Sequence, residues 1–349
     1  MNTETVSVEL SQTPPGGWDD YVLGHAEASP YHLAESVQIG RKVFGFRCHF
    51  LVARHGPGGT CGVLPLVEQP GLLRGRQLVS LPFFNYGGIL ADDLPAASAL
   101  ARAGEILAAQ RRVERIELRH AQICRALSYP ATLEKAAMIL ELPPSPSELL
   151  KRFDSKLRSQ IRRADRENPE VRVGGAELVR DFYEVFCSVM RDLGTPVYPR
   201  RFFDCVLREA GLSATVVVIY LHGVPVSGGF LVEFGKRLEI PWAATLSRVK
   251  GQAINMRLYW EVLQLAIARG CTSFDFGRST LDSGPYRFKR QWGAKPRQLH
   301  WQHWSRSGVA PRERTERRES LKLAVELWQR LPLCIANWLG PRISHRLPW

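Results

Sequence analysis

Apolar positions in "GGWDDYVLGHAEAS" and "LAESVQIGRKVF", between residues 16 and 44, recur at helical spacing. The next stretches, "FRCHFLVARH", "TCGVLPLVE" and "RQLVSLPF", are strand-like, with a Gly-Pro-Gly-Gly turn between the first two. After "NYGGILADDLP" the pattern predicts a long helix over 94–110, then strands in "ERIELRH" and "EKAAMILEL". The order then repeats. Helices in "AELVRDFYEVFCSVMRDL" and "RRFFDCVLREA" precede strands in "ATVVVIYLH", "PVSGGFLVEF" and "RLEIPWAATL", a helix over 252–269, and strands in "TSFDFG" and "RQLHWQHW". Even the joins correspond, "ILAAQRRVERIELRH" echoing "LQLAIARGCTSFDFGRS". Duplication of one α/β unit accounts for both length and pattern. It places units at 1–143 and 144–304 and a tail at 305–349. Hairpin-linked strands followed by a helical crossover imply mixed sheets flanked by helices, not a purely parallel array.

The units meet at "LPPSPSELLKRFDSKLRSQIRRADRENPE". Pro143 and Pro144 break the preceding strand, and Ser145, Pro146 and Glu148 form a capping box with proline in the first turn. A helix over 146–167 is expected, with Leu149, Leu150, Phe153, Leu157, Ile161 and Ala164 on one face. Lys151, Arg152, Lys156, Arg158, Arg162, Arg163 and Arg166 take the other, either as a solvated surface or as a rail for phosphates.

Charge sharpens that choice. The net charge is +13, but residues 1–143 hold 13 Lys and Arg against 14 Asp and Glu, while residues 144–349 hold 34 against 20. All of the excess lies in the second part. Such a half favours an anionic partner, namely RNA, a nucleotide-linked substrate, a CoA pyrophosphate or an anionic membrane surface; DNA is not expected. The seven cysteines are scattered without a C-x-x-C pair, which argues against a disulfide frame or zinc site. His300 and His303 fall on opposite faces of one strand, so no metal site is expected there. No apolar run approaches a membrane span and the N-terminal residues lack a signal pattern, so a cytoplasmic location is expected. The tail, with Trp328, Trp338 and Trp349, is read as packing back on the second unit, the alternative being a basic amphipathic contact with the inner membrane.

A three-strand meander, a helix and a fifth strand make up the order of the GNAT acyltransferase fold, so two tandem GNAT-like domains of α/β (α+β) class are expected. That fold takes an acyl donor where two parallel strands splay, and the loop entering the next helix offers N–H groups to phosphates. Here that loop is "SRVKGQAIN", where Arg248, Gly251 and Ala253 fit R-x-x-G-x-A. Five stretches in order, "SLPFFNYGGILA", "KLRSQIRRA", "MRDLGTPVYPRRFF", "FDFGRST" and "YRFKRQWGA", resemble the FemAB-like proteins of bacterial PEP-CTERM/exosortase and exopolysaccharide systems. These are relatives of the Fem peptidyltransferases, and the resemblance runs from about Trp18 to the tail. It implies transfer of an acyl or aminoacyl group to an amine in cell-envelope or exopolysaccharide biosynthesis. The donor stays open between acyl-CoA, or acyl-carrier protein, and aminoacyl-tRNA, with no tightly bound cofactor. By the same resemblance Phe288 and Lys289 match a Phe-Lys pair at the active centre, followed by Trp292 and Gly293, and Lys289 contacts the acceptor or the developing oxyanion.

The residues themselves suggest further roles. Asp275 is cast as an acceptor-positioning carboxylate and base, and Arg278 as a bidentate clamp, unless the two simply pin the turn. Tyr286 donates to the leaving group or caps the loop. Arg191, Asp192, Thr195 and Tyr198 are more functional groups than a helix stop at Gly194 requires, and are assigned to substrate binding. Asn85 and Tyr86, before Gly87 and Gly88, occupy the loop where backbone can approach a ligand. No nucleophile motif is present, so direct attack of an amine on an activated donor is expected. The competing class is a degenerate GNAT pair that only binds, as a scaffold in polysaccharide assembly.

Overall fold

The computed structural model describes residues 6–56, 59–71, 75–208, 212–308 and 314–347. The chain opens with β1 (Val6–Ser11), α1 (Trp18–Gly24) and α2 (Ala34–Phe44). Next come β2 (Arg47–His55), β3 (Thr60–Pro70), β4 (Arg76–Val79) and the short β5 (Leu90–Ala91). Helix α3 (Leu94–Gln110), capped by Asp93, leads to β6 (Arg115–His120), β7 (Ala131–Thr132) and β8 (Lys135–Glu141). The junction forms α4 (Pro146–Arg152) and α5 (Ser155–Asp165), followed by β9 (Glu170–Gly174), α6 (Val179–Asp192) and α7 (Arg200–Arg208). A second meander, β10 (Ser213–Leu221), β11 (Val224–Phe234) and β12 (Arg237–Thr245), precedes α8 (Ile254–Ala268) and β13 (Ser273–Thr280). Helix α9 (Gly284–Gln291), β14 (Lys295–Gln298), β15 (His300–Ser305), α10 (Arg314–Gln329) and α11 (Leu333–Ile343) complete the order.

Two mixed sheets result. The first runs β1-β2-β3-β4-β6-β15-β7, with β5 beside β3, and the second runs β14-β8-β13-β12-β11-β10-β9. In each, an antiparallel meander ends in a strand that pairs parallel with the strand after the crossover helix, β4 with β6 and β12 with β13. The duplicated unit is therefore visible in the topology, including edge strands β1 and β9 that the sequence pattern did not single out. Their alternating, partly exposed residues give a weak apolar signal.

The units trade their closing strands. β8, expected to close the first unit, lies between β13 and β14 in the second sheet, and β15, expected in the second, lies against β6 in the first. Local apolar alternation gives a strand but not its partner, because pairing is decided by contacts remote in sequence. The junction also differs from a continuous helix over 146–167. Asp154 stands between α4 and α5 and accepts from Leu157 N–H at 2.7 Å, so the second helix restarts with its own cap. The predicted apolar face holds: Leu149, Phe153, Leu157, Ile161 and Ala164 are buried against α8 and the outer face of the second sheet.

Three cores follow from this arrangement. One lies outside each sheet, and the largest lies between the halves, mixing Tyr31, Phe50, Phe83 and Phe84 with Tyr198, Phe202, Phe230 and Trp242. The loop 81–88 is pinned into this middle layer. Phe83 has φ +74, a conformation bulky residues avoid, and its ring is wedged among Phe44, Tyr198 and Phe202. Buried Arg119 donates to the carbonyls of Leu81 and Phe84 at 3.2 and 2.9 Å. The tail packs back as expected, and touches both halves: α11 lies on α6, while Gln69 donates to the carbonyl of His345 at 3.2 Å.

The exchange couples the halves. A chain divided at 143/144 is expected to give a 1–143 fragment without cooperative unfolding, because its sheet lacks β15 and its own β8 has no ladder. Coexpression with 144–349 is expected to restore one transition; circular dichroism melts of the fragments alone and together check this.

Candidate active site

Strands β12 and β13 pair in parallel for three positions, Arg237 with Ser273, Leu238 with Phe274 and Glu239 with Asp275, and the ladder ends there. Side chains alternate along a strand. Leu238, Ile240, Phe274 and Phe276 enter the outer core, so Glu239 and Asp275 face the layer between the halves. They are neighbours on one face of adjacent strands. Beyond them β13 turns at Gly277 (φ +73), and its register with β8 shifts between Asp275 and Arg278. A Cβ at Gly277 would make only ordinary contacts, 3.4 Å from the Ile240 carbonyl and 3.5 Å from Asn85 Nδ2, so it is the positive φ that favours glycine here.

The first half supplies partners for both acids. Tyr31 Oη donates to Glu239 Oε2 at 2.6 Å, Asn85 Nδ2 donates to Glu239 Oε1 at 2.7 Å, and Tyr86 Oη donates to Asp275 Oδ2. The N–H of Gly277 donates to Asp275 Oδ1 at 2.8 Å. From the other side comes Lys289 on α9, a short helix capped by Ser283. Its ammonium donates to the carbonyls of Gly277 and Arg278 at 3.0 and 3.1 Å. Asp275 is 0 % exposed, Glu239 4 % and Lys289 8 %, so this charge chemistry takes place in the interior.

Burial sets the ionisation. Loss of solvent, with the neighbouring Asp275 second, pushes the Glu239 carboxyl up to about 8 from its ordinary 4.5. Asp275 is raised for the same first reason, against the pull of Tyr86, the Gly277 N–H and Lys289. Desolvation lowers Lys289 to about 8, while both carboxylates oppose the shift. Tyr31 and Tyr86 are held neutral by burial beside the acids. At neutral pH Glu239 keeps its proton, while Arg237 and Lys289 favour the ionised form of Asp275 against the effect of burial. A poised acid beside a base, reached through a phenol, can take a proton from one group and return it to another.

Two adjoining cavities reach this network. One of about 250 Å³ has Glu239, Arg237 and Lys236 in its wall. The other, about 410 Å³, runs along the seam where β14 leaves one sheet and β15 enters the other. Tyr86 and Arg237 line both.

Of the sequence candidates, the structure brings together Asp275, Lys289, Asn85 and Tyr86. Arg278 lies beside them, its guanidinium 4.8 Å from the Trp301 ring. Tyr286 and Phe288 pack instead on the outer core, and Trp292 is fully buried there against Phe153. Arg191 and Asp192 pair with each other at 2.8 Å and hold the tail, through the Leu331 carbonyl and Gln329. Thr195 closes the end of α6 through its N–H, and Tyr198 is buried in the middle aromatic layer. Arg248 and Gly251 sit in a 3-10 turn before α8 and Ala253 (φ +58) begins that helix. Gln252 links this turn to Glu167 just past α5, at 2.8 Å, near the surface that carries Arg158, Arg162 and Arg163. Glu239 and Tyr31 were not anticipated. The available signal was a lone acid between Leu238 and Ile240 in an otherwise apolar strand. No group of three or more His, Cys, Asp or Glu able to hold a metal occurs among the described residues.

Two outcomes test the electrostatics. Glu239 retains its proton in the folded chain while the unfolded chain loses it above about 4.5. Stability is therefore expected to fall as pH rises from about 5 to 8. Glu239→Gln, which keeps an acceptor for Asn85, is expected to flatten that fall and raise the melting temperature at pH 8. Lys289→Met strands a buried charge and is expected to cost about 3 kcal/mol in urea unfolding; adding Asp275→Asn is expected to recover stability.

Comparison with known proteins bears on the fold. Residues 151–290 match the family model described as an acetyltransferase (GNAT) domain. No curated protein matches the chain in sequence. Among solved structures, the crystal structure of FemX is similar with a TM-score of 0.64 at 14% identity, over 84% of this chain and 97% of that one. L-PGS from Bacillus licheniformis gives 0.57 at 13%, over 92% and 99%. A tandem GNAT protein from the clavulanic acid biosynthesis pathway gives 0.53 at 11%, over 87% and 100%. The chain has the tandem GNAT-like fold, and the stretch that matches the acetyltransferase (GNAT) domain model lies in its second half.

Proposed function

We propose that the protein is an N-acyltransferase or aminoacyltransferase that moves an acyl group from an anionic activated donor to an amine, in bacterial cell-envelope or exopolysaccharide biosynthesis. The observation that carries this reading is the buried Glu239–Asp275 pair at the point where parallel pairing of β12 and β13 stops. The donor's acyl end enters the opening beyond that pair. Its phosphates meet the turn of Arg248 and the basic surface of α5, whether the carrier is CoA or tRNA. The biosynthetic setting rests on the motif resemblance.

The amine nitrogen attacks the acyl carbonyl carbon, a C–N bond forms, and the C–S or C–O bond to the carrier breaks. The proton released by the amine passes through Tyr86 to Asp275, and the protonated Glu239 side of the pair returns one to the departing thiolate or alkoxide. An ammonium has three N–H donors, of which the Gly277 and Arg278 carbonyls take two. Lys289 thus holds the turn and supplies positive charge where the oxyanion develops.

The test is single-turnover transfer of radiolabelled acyl groups from acyl-CoAs and charged tRNAs to a panel of amines. Glu239→Gln and Asp275→Asn are each expected to slow transfer by about 100-fold or more with the fold intact by circular dichroism. Variants that transfer at the parental rate would sink the reading. A parent that binds donors but transfers nothing would favour the scaffold.

A further inference from the structure

The tail meets the body of the protein by one face of each helix. Both α10 and α11 pack on α6. Two glycines permit a close fit there: at Gly194 (φ +73) a Cβ would fall 2.4 Å from the Val325 side chain, and at Gly340 one would fall 2.9 Å from the Val197 nitrogen. Arg191 donates to the Leu331 carbonyl at 2.9 Å and Gln329 to the Asp192 carbonyl at 3.0 Å. Trp328 and Ala336 are buried, so the seat is filled.

The outer faces are apolar as well. Leu323 and Leu327 lie one turn apart on α10, away from the side of Val325 and Trp328, and are 69 % and 55 % exposed. On α11, Ile335, Trp338 and Arg342 follow one another at helical spacing, away from buried Ala336 and Gly340, and Trp338 is 61 % exposed. Among the described residues, six of the fifteen exposed large apolar side chains lie at Leu193 and within 323–338. Single exposed hydrophobes need no explanation; such a concentration does. The charge around them is one-sided. Residues 322–347 hold four Lys and Arg, all exposed, against Glu326 alone, and the neighbouring Asp192 is paired with Arg191. The Arg342 guanidinium lies over the Trp338 ring, 4.3 Å from its centroid. Leucine and tryptophan among cations are the composition of a helix that lies in a membrane interface. A second copy seated on this face would set its cations against the same cations. No described helix is long and apolar enough to cross a bilayer, so the contact is with its surface.

We propose that the outer face of α10 and α11 docks on a bilayer that carries anionic lipid. Leu327, Ile335 and Trp338 enter the boundary between headgroups and acyl chains, and Arg330 and Arg342 meet the headgroup phosphates. The inner faces stay on α6, so the body of the protein is held at the membrane by a part of its own fold. This surface lies outside the proton network, and the proposal does not rest on the transferase reading.

The test is flotation of the full chain with vesicles of phosphatidylglycerol in phosphatidylcholine, and with phosphatidylcholine alone. The parent is expected to float with the mixed vesicles, less as NaCl screens the charges, and to remain at the bottom with phosphatidylcholine. Trp338→Ser and Leu327→Gln change exposed side chains and leave the net charge at +13, so the general attraction of a basic chain is kept. Each is expected to lower partition by about fivefold or more, with an unchanged melting curve by circular dichroism. A parent that does not float with the mixed vesicles, a parent that floats equally with both, or variants that float like the parent would overturn the proposal. Sedimentation equilibrium without lipid covers the other occupant: a dimer that Trp338→Ser dissociates gives the face to a second copy and overturns it too. Flotation reads no turnover, so a failure here leaves the transferase reading standing, and a failure of transfer leaves this surface standing.

Discussion

Two carboxyl groups on adjacent strands, about 5 Å apart by strand spacing and closed off from water, cannot both be ionised. Glu239 and Asp275 are in that position, and much of the surrounding structure answers the constraint. Glu239 keeps its proton at neutral pH, and an ammonium delivered from a separate helix favours ionisation of Asp275. The remaining acceptor sites are filled by hydroxyl and amide groups. Three of those four donors come from the other half of the chain, so the acids are satisfied only when the halves are assembled.

Assembly in turn is enforced by the strands. Because β8 and β15 change places, each sheet contains a strand from the other unit, and the seam between β14 and β15 becomes a wall with side chains from both. The duplicated unit contributes the same framework twice, yet only the second copy has the acid pair at the end of its parallel ladder. In the first sheet the equivalent pairing joins Leu78 with Ile116 and Val79 with Glu117, and Glu117 is engaged by Arg119. The first copy serves as a lid of donors over the second.

The sequence made the order of elements, the mixed sheets and the tandem fold legible, because these rest on apolar period and turn chemistry. It also pointed to Asp275, Lys289, Asn85 and Tyr86, where polar groups cluster beside glycines. Glu239 escaped because a single acid in a strand looks like a surface position unless its partner strand is known. Arg191 and Asp192 show the opposite: they are polar groups at a helix end, but Arg191 donates to the Leu331 carbonyl of a tail 140 residues away, and the Asp192 side chain pairs with Arg191. Phe288 and Trp292 carry motif identity, while their rings serve packing beneath α9. In each case local pattern gave the element and missed the partner.

The position of β15 also bears on the order of events at the ribosome. A domain made of consecutive segments can fold as soon as it emerges, and N-terminal domains generally do so first. Here the sixth strand of the first sheet's path is residues 300–305, so that sheet stays open at β6 until nearly all of the protein has been made. An exposed strand edge of that kind invites pairing with other chains. Synthesis of this protein therefore includes a long interval in which its first half is most in need of chaperones, ended only when its own distal strand arrives.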